Sequence, residues 1–172
     1  MLKLVHHSDP ILYRETNRFT FNDPPYNPAE LANDLIQMMI KHKGIGLSAN
    51  QVGIPYKVFV MWSEEPMAIF NPTILETTSK EITLDEGCLS FPNLNLPIKR
   101  PEIIKARFQD FTGQFRTEKY IGMTARVFQH EFDHLMGIDY TKRANKFHLD
   151  RALRKQKILN RQSGKQAGWI NI

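Results

Sequence analysis

The stretch "VFQHEFDHLMG", residues 127–137, holds two histidines four apart with a glutamate beside the first. At helical spacing, residues i and i+4 lie one above the other, so His130 and His134 share a face. Val127, Phe128, Phe132, Leu135 and Met136 occupy most of the remaining circumference. The spacing therefore predicts a helix from about Thr124 to Met136, stopped by Gly137 and buried almost all round. Burying imidazoles and a carboxylate without partners costs several kcal/mol. His130 and His134 can aim two nitrogens at one cation, with Glu131 close enough to act on water beside it, a pattern that fits metal-assisted hydrolysis. The other reading is an ordinary core helix in which the spacing arose by chance.

A catalytic metal site wants three protein ligands and one open position. Downstream of His134 the chain offers Asp139, His148 and Asp150, none in a motif. Upstream stands "DEGCLSFP", with the only cysteine of the chain, Cys88, just after a strand. By itself Cys88 reads as buried filler. Joined to the two histidines, it completes a thiolate and two imidazoles with a vacancy for water. A third segment, "GIGLSANQVG" at 44–53, brings Gly44 and Gly46, which let the backbone approach a ligand, and Gln51, a neutral amide able to donate to an oxyanion. A glycine-containing turn after a helix explains that segment equally well. It lacks the Lys-Ser/Thr ending of a phosphate loop.

The chain has 172 residues and 41% hydrophobic content, which suits one compact domain. The expected organisation is a catalytic domain over residues 1–148 and a basic helix and tail of the same domain over 149–172. "NPAELANDLIQMMIKHKG" predicts an N-terminal helix capped by Asn27, with Pro28 in its first turn, Leu31, Leu35, Met38 and Met39 on one face, and Gly44 at its end. Short strands are predicted at 56–62, 67–70, 73–76, 81–84 and 104–109. In the last of these Ile104, Ala106 and Phe108 point inward, while Lys105, Arg107 and Gln109 meet solvent. The strands lie too close together for crossover helices. The fold class is therefore α+β: mostly antiparallel sheet packed around the central His-Glu-x-x-His helix, with one N-terminal and one C-terminal helix.

A lone cysteine allows no intrachain disulfide. No apolar run reaches membrane-spanning length, and the first residues lack the apolar stretch of a signal peptide, so a cytoplasmic protein is expected. Charge is uneven. Residues 1–141 carry 14 Lys/Arg against 17 Asp/Glu, net −3, while residues 142–172 carry 9 against 1, net +8. A basic amphipathic helix is predicted from Leu149 to about Arg161, with Leu149, Leu153 and Ile158 or Leu159 near one side.

Taken in order, "GIGLSANQ", "EGCLS" and "QHEFDHLMG" resemble the three signature motifs of the peptide deformylases, and "SDPIL" near the start resembles that family's opening. The resemblance implies Cys88, His130 and His134 as metal ligands and Glu131 as general acid and base. It makes Gln51, with the backbone N–H of Leu89, the hole for the carbonyl oxygen. The implied substrates are N-formylmethionyl nascent peptides, and the product is formate. The implied metal is Fe²⁺, with Ni²⁺, Co²⁺ or Zn²⁺ as substitutes, although the ligand types alone suggest zinc.

For the substrate, the candidates are Ile45, Val127 and the stem of Arg126 around the methionine side chain, with the Gly44 to Gly46 strand and Gly87 pairing its backbone. Glu86 and Arg100 read either as a pair behind the Cys88 loop or as a surface salt bridge. Two departures from the family pattern stand out. Ser48 occupies a place where alanine is usual, with an expected effect on packing behind the oxyanion hole, and Tyr13 separates Leu12 from Arg14. No role for DNA or membrane is indicated. Rival readings are a zinc peptidase, which lacks a downstream third ligand, and an RNA-binding module with a structural metal, which has no need of Glu131. The basic C-terminal helix reads either as a solvated helix docked on the domain or as a contact to ribosomal RNA.

Overall fold

The computed structural model describes residues 2–162, so the last ten residues of the predicted basic tail lie outside the described part. Helix α1 (Pro28–Lys41) starts where Asn27 Oδ1 accepts the free N–H groups of Ala29 and Glu30 at 3.0 and 3.2 Å, with Pro28 in the first turn. Its end departs from expectation. Lys43 takes the left-handed conformation at φ 56°, and Gly44 only closes the turn by donating to Met39 O. Gly44 is needed for space instead: a Cβ there would stand 2.9 Å from Leu89 Cδ1.

Seven strands follow: β1 (Gly46–Ser48), β2 (Val58–Trp62), β3 (Pro66–Thr77), β4 (Glu81–Cys88), β5 (Phe91–Pro101), β6 (Ile103–Gln109) and β7 (Phe115–Ile121). Five form one sheet in the order β1-β2-β3-β6-β7, and β4 and β5 form a separate two-stranded sheet. All pair antiparallel. The segments predicted at 67–70 and 73–76 are one strand, β3, kept continuous across Asn71 and Pro72 by register shifts against β6. Strand β5, which carries Pro92, Pro97 and Pro101, is not among the strands expected from the sequence. It pairs along β4 and buries Leu94, Leu96, Ile98 and Arg100 on one face.

The five-stranded sheet is covered on both sides, as the alternation along β2 requires. Val58 and Val60 join the cluster under α1 with Leu35, Met39, Leu47 and Phe70. Phe59 and Met61 join the opposite cluster with Ile104, Ala106 and Phe108 of β6 and Val127, Phe128 and Leu135 of α2 (Met123–Leu135). Lys105 and Arg107 face solvent as expected. Gln109 does not: it is buried, donating to Gly113 O and accepting from Asn71. The sheet is thus sandwiched between α1 and α2, and α2 is buried on nearly every side.

Gly137 ends α2 at φ 70°, where a Cβ would meet the Tyr13 and Arg14 backbone at 2.8 Å. Helix α3 (Lys146–Gln162) begins three residues before the predicted Leu149 and lies along β5. Its inward face carries most of the expected set: Leu149 packs under β5 with Ala152, Gln156 donates to Pro92 O and Leu159 is half-buried, while Leu153 and Ile158 are exposed. Gln156 and Asn160 add polar contacts to Pro92 and Asn93. Among the described residues, no helix is long and apolar enough to cross a membrane.

Candidate metal centre

Three segments remote in sequence meet on one side of α2. Strand β4 ends at Cys88, where the two residues Leu89 and Ser90 turn the chain back into β5 and Cys88 pairs with Phe91. The register slips between Glu86 and Cys88, which places Gly87 at the irregularity beside the thiol. Helix α2 supplies His130 and His134 with ring centroids 5.0 Å apart. Sγ of Cys88 lies 3.2 Å from Nε2 of His134, and one ligand atom from each of Cys88, His130 and His134 falls within 4.8 Å of the others. All three side chains are buried. Among the described residues this is the one cluster of its kind, and Asp139 is not in it: its carboxylate accepts from Thr141 at the start of the next turn.

The donor set tests well against a cation. Glu86 accepts from His130 Nδ1 at 2.9 Å, which leaves Nε2 as the lone-pair nitrogen. That Nε2 is buried with no hydrogen-bond partner among the described residues. An orphaned buried nitrogen facing a buried thiol is what a divalent ion would satisfy. Burial opposes a charge on His130, while the nearby Cys88 sulfur and the Glu86 carboxylate favour one and, on balance, raise its pKa. His134, with burial and the neighbouring His130 charge both acting against protonation, is pushed well below its ordinary value.

Behind these ligands lies a buried charge network that includes the expected Glu86–Arg100 pair. Glu86 accepts from Arg100 Nε and Nη2 at 2.6 and 2.9 Å and from Arg126 Nη1 at 2.8 Å, besides His130. Burial works against its charge, yet these bonds hold the carboxyl well below the usual range. Arg100 Nη1 reaches on to Asp133 at 2.6 Å, and Arg143 adds two contacts of 2.5 Å to the same carboxylate. The pair is therefore interior, not a surface bridge. Asp133 and Arg143 were missed in the sequence; Asp133 stands inside the His-Glu-x-x-His segment one residue before His134, and its burial on that apolar helix was the available signal.

Glu131 sits at full burial beside the ligands. Burial pushes its carboxyl up to about 7, against the lowering effects of the His130 charge and a hydrogen bond from Ser48. Its Oε1 has no hydrogen-bond partner among the described residues, while Oε2 accepts from Ser48 Oγ at 2.5 Å. Ser48, flagged in the sequence only for packing, touches the carboxylate directly. Gln51 is held by its own Oε1, which accepts Ser48 N–H at 2.9 Å. Its Nε2 then points to Cys88 Sγ at 3.4 Å and Ser90 Oγ at 3.1 Å.

Of the predicted substrate contacts, Gly46 and Val127 meet beside Glu131. A Cβ on Gly46 would stand 2.8 Å from Val127 Cγ1 and 2.5 Å from Glu131 Oε1. Ile45 is partly buried against the same cluster, Leu89 abuts Gly44, and Gly87 is buried. The guanidinium of Arg126 donates to Glu86 and to the carbonyls of Ile82 and Ile98, so only its stem is left to face a ligand.

Residues 1–150 match the family model described as polypeptide deformylase. A chloroplastic peptide deformylase 1B of Oryza sativa subsp. japonica is 35% identical over 177 residues, covering 99% of this chain and 65% of its own length. A peptide deformylase of Thermotoga petrophila is 40% identical over 140 residues, covering 80% of this chain and 84% of the relative. A peptide deformylase from Synechococcus elongatus, solved in complex with actinonin, has a TM-score of 0.84 at 33% identity, covering 91% of this chain and 86% of that one.

Glu86→Gln tests the network behind the ligands. The amide turns a donor toward the Arg100 and Arg126 guanidiniums and removes the buried charge that pairs with them, so unfolding free energy should fall by about 3 kcal/mol or more in chemical denaturation. Metal affinity, measured by competitive titration, should weaken roughly 10–100-fold as His130 loses the partner that fixes its ring. Unchanged affinity would mean that α2 alone orients His130.

Proposed function

The chain belongs to the polypeptide deformylase family, metal-dependent hydrolases that remove the formyl group from N-terminal formylmethionine and release formate, and on that premise we propose how this site works. Cys88, His130 and His134 hold one divalent metal ion, which we take to be Fe²⁺ because the three motifs resemble those of a family that favours it, with Ni²⁺, Co²⁺ or Zn²⁺ able to replace it. Bound there, the ion supplies Lewis-acid chemistry, polarising a carbonyl and making water more acidic. The observation that carries the reading is the open Oε1 of Glu131 beside these three ligand groups.

Glu131 takes a proton from the attacking water and returns it to the departing amine nitrogen, so one carboxylate serves as base and then as acid. Its pKa near 7 suits both roles at neutral pH. Negative charge develops on the formyl oxygen, and Gln51 Nε2 and the Leu89 N–H donate to it, each such donor contributing roughly 3–4 kcal/mol in comparable sites. Ile45, Val127 and the stem of Arg126 line the methionine pocket. The N-formylmethionyl peptide lies extended between the Gly44 to Gly46 strand and the Gly87 region. Strand β1 ends the five-stranded sheet, so its outer backbone groups are available for such pairing. This mode reads the main chain and tolerates varied sequence.

Residues 1–148 act as the catalytic domain, with the basic helix and tail from 149 as an appendage of it. Arg151, Arg154, Lys155, Lys157 and Arg161 are all exposed on α3, opposite the face that rests on β5. We read them as a contact to ribosomal RNA, which keeps the site where formylated chains emerge.

Protein purified without oxygen should hold about one Fe²⁺ per chain, and so should Glu131→Gln, since all three ligands remain. Only the unsubstituted protein should release formate from formyl-Met-Ala at full rate, with the variant lower by roughly 10²-fold or more. Near-normal turnover in Glu131→Gln would remove its role, and another metal at full occupancy would remove iron.

Truncation after Asp150 should leave hydrolysis of formyl-Met-Ala largely intact and abolish ribosome co-sedimentation. In the full chain, log affinity should fall by about 0.7–0.9 per phosphate contact for each log unit of salt. Co-sedimentation that survives truncation would reject the ribosomal contact.

A further inference from the structure

Ser48 closes strand β1 and is fully buried. Its Oγ lies 2.5 Å from Oε2 of Glu131 and 3.1 Å from the main-chain oxygen of the same residue. A hydroxyl has one proton to donate, and the shorter contact, to a carboxylate oxygen, is the stronger claim on it. On the other side of the same carboxylate, Oε1 has no hydrogen-bond partner among the described residues and rests against Gly46. One oxygen is held and its twin is open.

Nothing nearby can take over the holding. Gly46 brings no side chain. The Gln51 amide is engaged on both ends, its Oε1 by Ser48 N–H and its Nε2 toward Ser90 and Cys88. The terminal torsion of a glutamate is a broad rotor with little intrinsic preference, so a carboxylate without an anchor turns freely in its slot. Alanine at position 48 would preserve the strand and remove the only side-chain donor to Oε2 found among the described residues.

We propose that Ser48 is a positioning residue for the hydrolysis, its hydroxyl anchoring Oε2 of Glu131 so that Oε1 is the oxygen that takes and returns the proton. This rests on the reading of Glu131 as general base. In the first half, the O–H bond of the attacking water breaks and the proton goes to Oε1. In the second, that proton moves from Oε1 to the amine nitrogen as the C–N bond breaks. Oε2 keeps its bond from Ser48 through both halves, so the shuttle oxygen stays aimed while its charge changes.

The test compares metal-loaded wild type, Ser48→Ala, Ser48→Thr and Glu131→Gln by steady-state formate release from formyl-Met-Ala and by bound metal. Crystal structures of the wild type and the alanine variant complete it. Ser48→Ala should lower kcat on the order of tenfold, the loss expected for a hydrogen bond to a charged group. KM and metal content should stay at wild-type values, and the Glu131 carboxylate should be turned or split between orientations in the crystal. Ser48→Thr keeps the hydroxyl and should stay closer to the wild-type kcat than alanine does. Wild-type kcat in Ser48→Ala overturns the proposal. So does a rate loss that tracks lost metal or raised KM, an unmoved Glu131, or a threonine variant no better than alanine. If Ser48→Ala is normal while Glu131→Gln is inactive, the role of Ser48 falls and the general-base reading stands. If Glu131→Gln itself turns over normally, both fall.

Discussion

The charge on Glu86 is the constraint on which the rest of the site depends. A carboxylate at full burial is tolerated only with its lone pairs filled, and Glu86 fills them from three directions: Arg100 on β5, and Arg126 and His130 on α2. One side chain thereby ties the hairpin that carries Cys88 to the helix that carries both histidines. Asp133 continues the tie through Arg100 and Arg143 into the turn before α3. Removing Glu86 takes away the one carboxylate that Arg100, Arg126 and His130 share, so the arrangement is costly to perturb at that point.

Rigidity at the back of the ligands contrasts with openness at the front. The bare backbone of Gly44 and Gly46 lets Leu89, Val127 and the Glu131 carboxylate approach a strand that ends its sheet. Two of the buried orphan atoms, His130 Nε2 and Glu131 Oε1, belong to this site, the second of them against Gly46. Ligand and substrate are the partners such atoms lack. Burial acts here too: desolvation lifts the Glu131 carboxyl to about 7, in keeping with the proton-shuttle role proposed for it.

Local signals carried much of this into the sequence. Asn27 and Pro28 announced α1, the Ile104/Ala106/Phe108 alternation announced β6, and the apolar ring around His130 announced that α2 would be central. The Cys88–His130–His134 cluster was legible because only one cysteine exists to join the histidine pair. Strand β5 was hidden by its prolines, although Leu94, Leu96 and Ile98 alternate, since a proline-bearing strand survives only where a ladder bond is dispensable. That Leu153 faces away from β5 while Gln156 and Asn160 meet it was illegible, because their partners lie some 64 and 67 residues away. Ser48 is a similar case: its hydroxyl partner lies 83 residues on, and nothing around position 48 in the sequence points to it.

We propose that this site hydrolyses a formamide at a peptide N-terminus and spares ordinary peptide bonds. The direct measurement is product analysis after incubating anaerobically metal-loaded protein with three peptides identical except at the N-terminus: formylated, acetylated and free. Formate is expected from the first, with turnover that follows bound metal and intact peptide bonds in all three, because a hydrogen on the carbonyl carbon needs less room than a methyl. Cleavage of an internal peptide bond, or no formate from protein with its metal site filled, would contradict it.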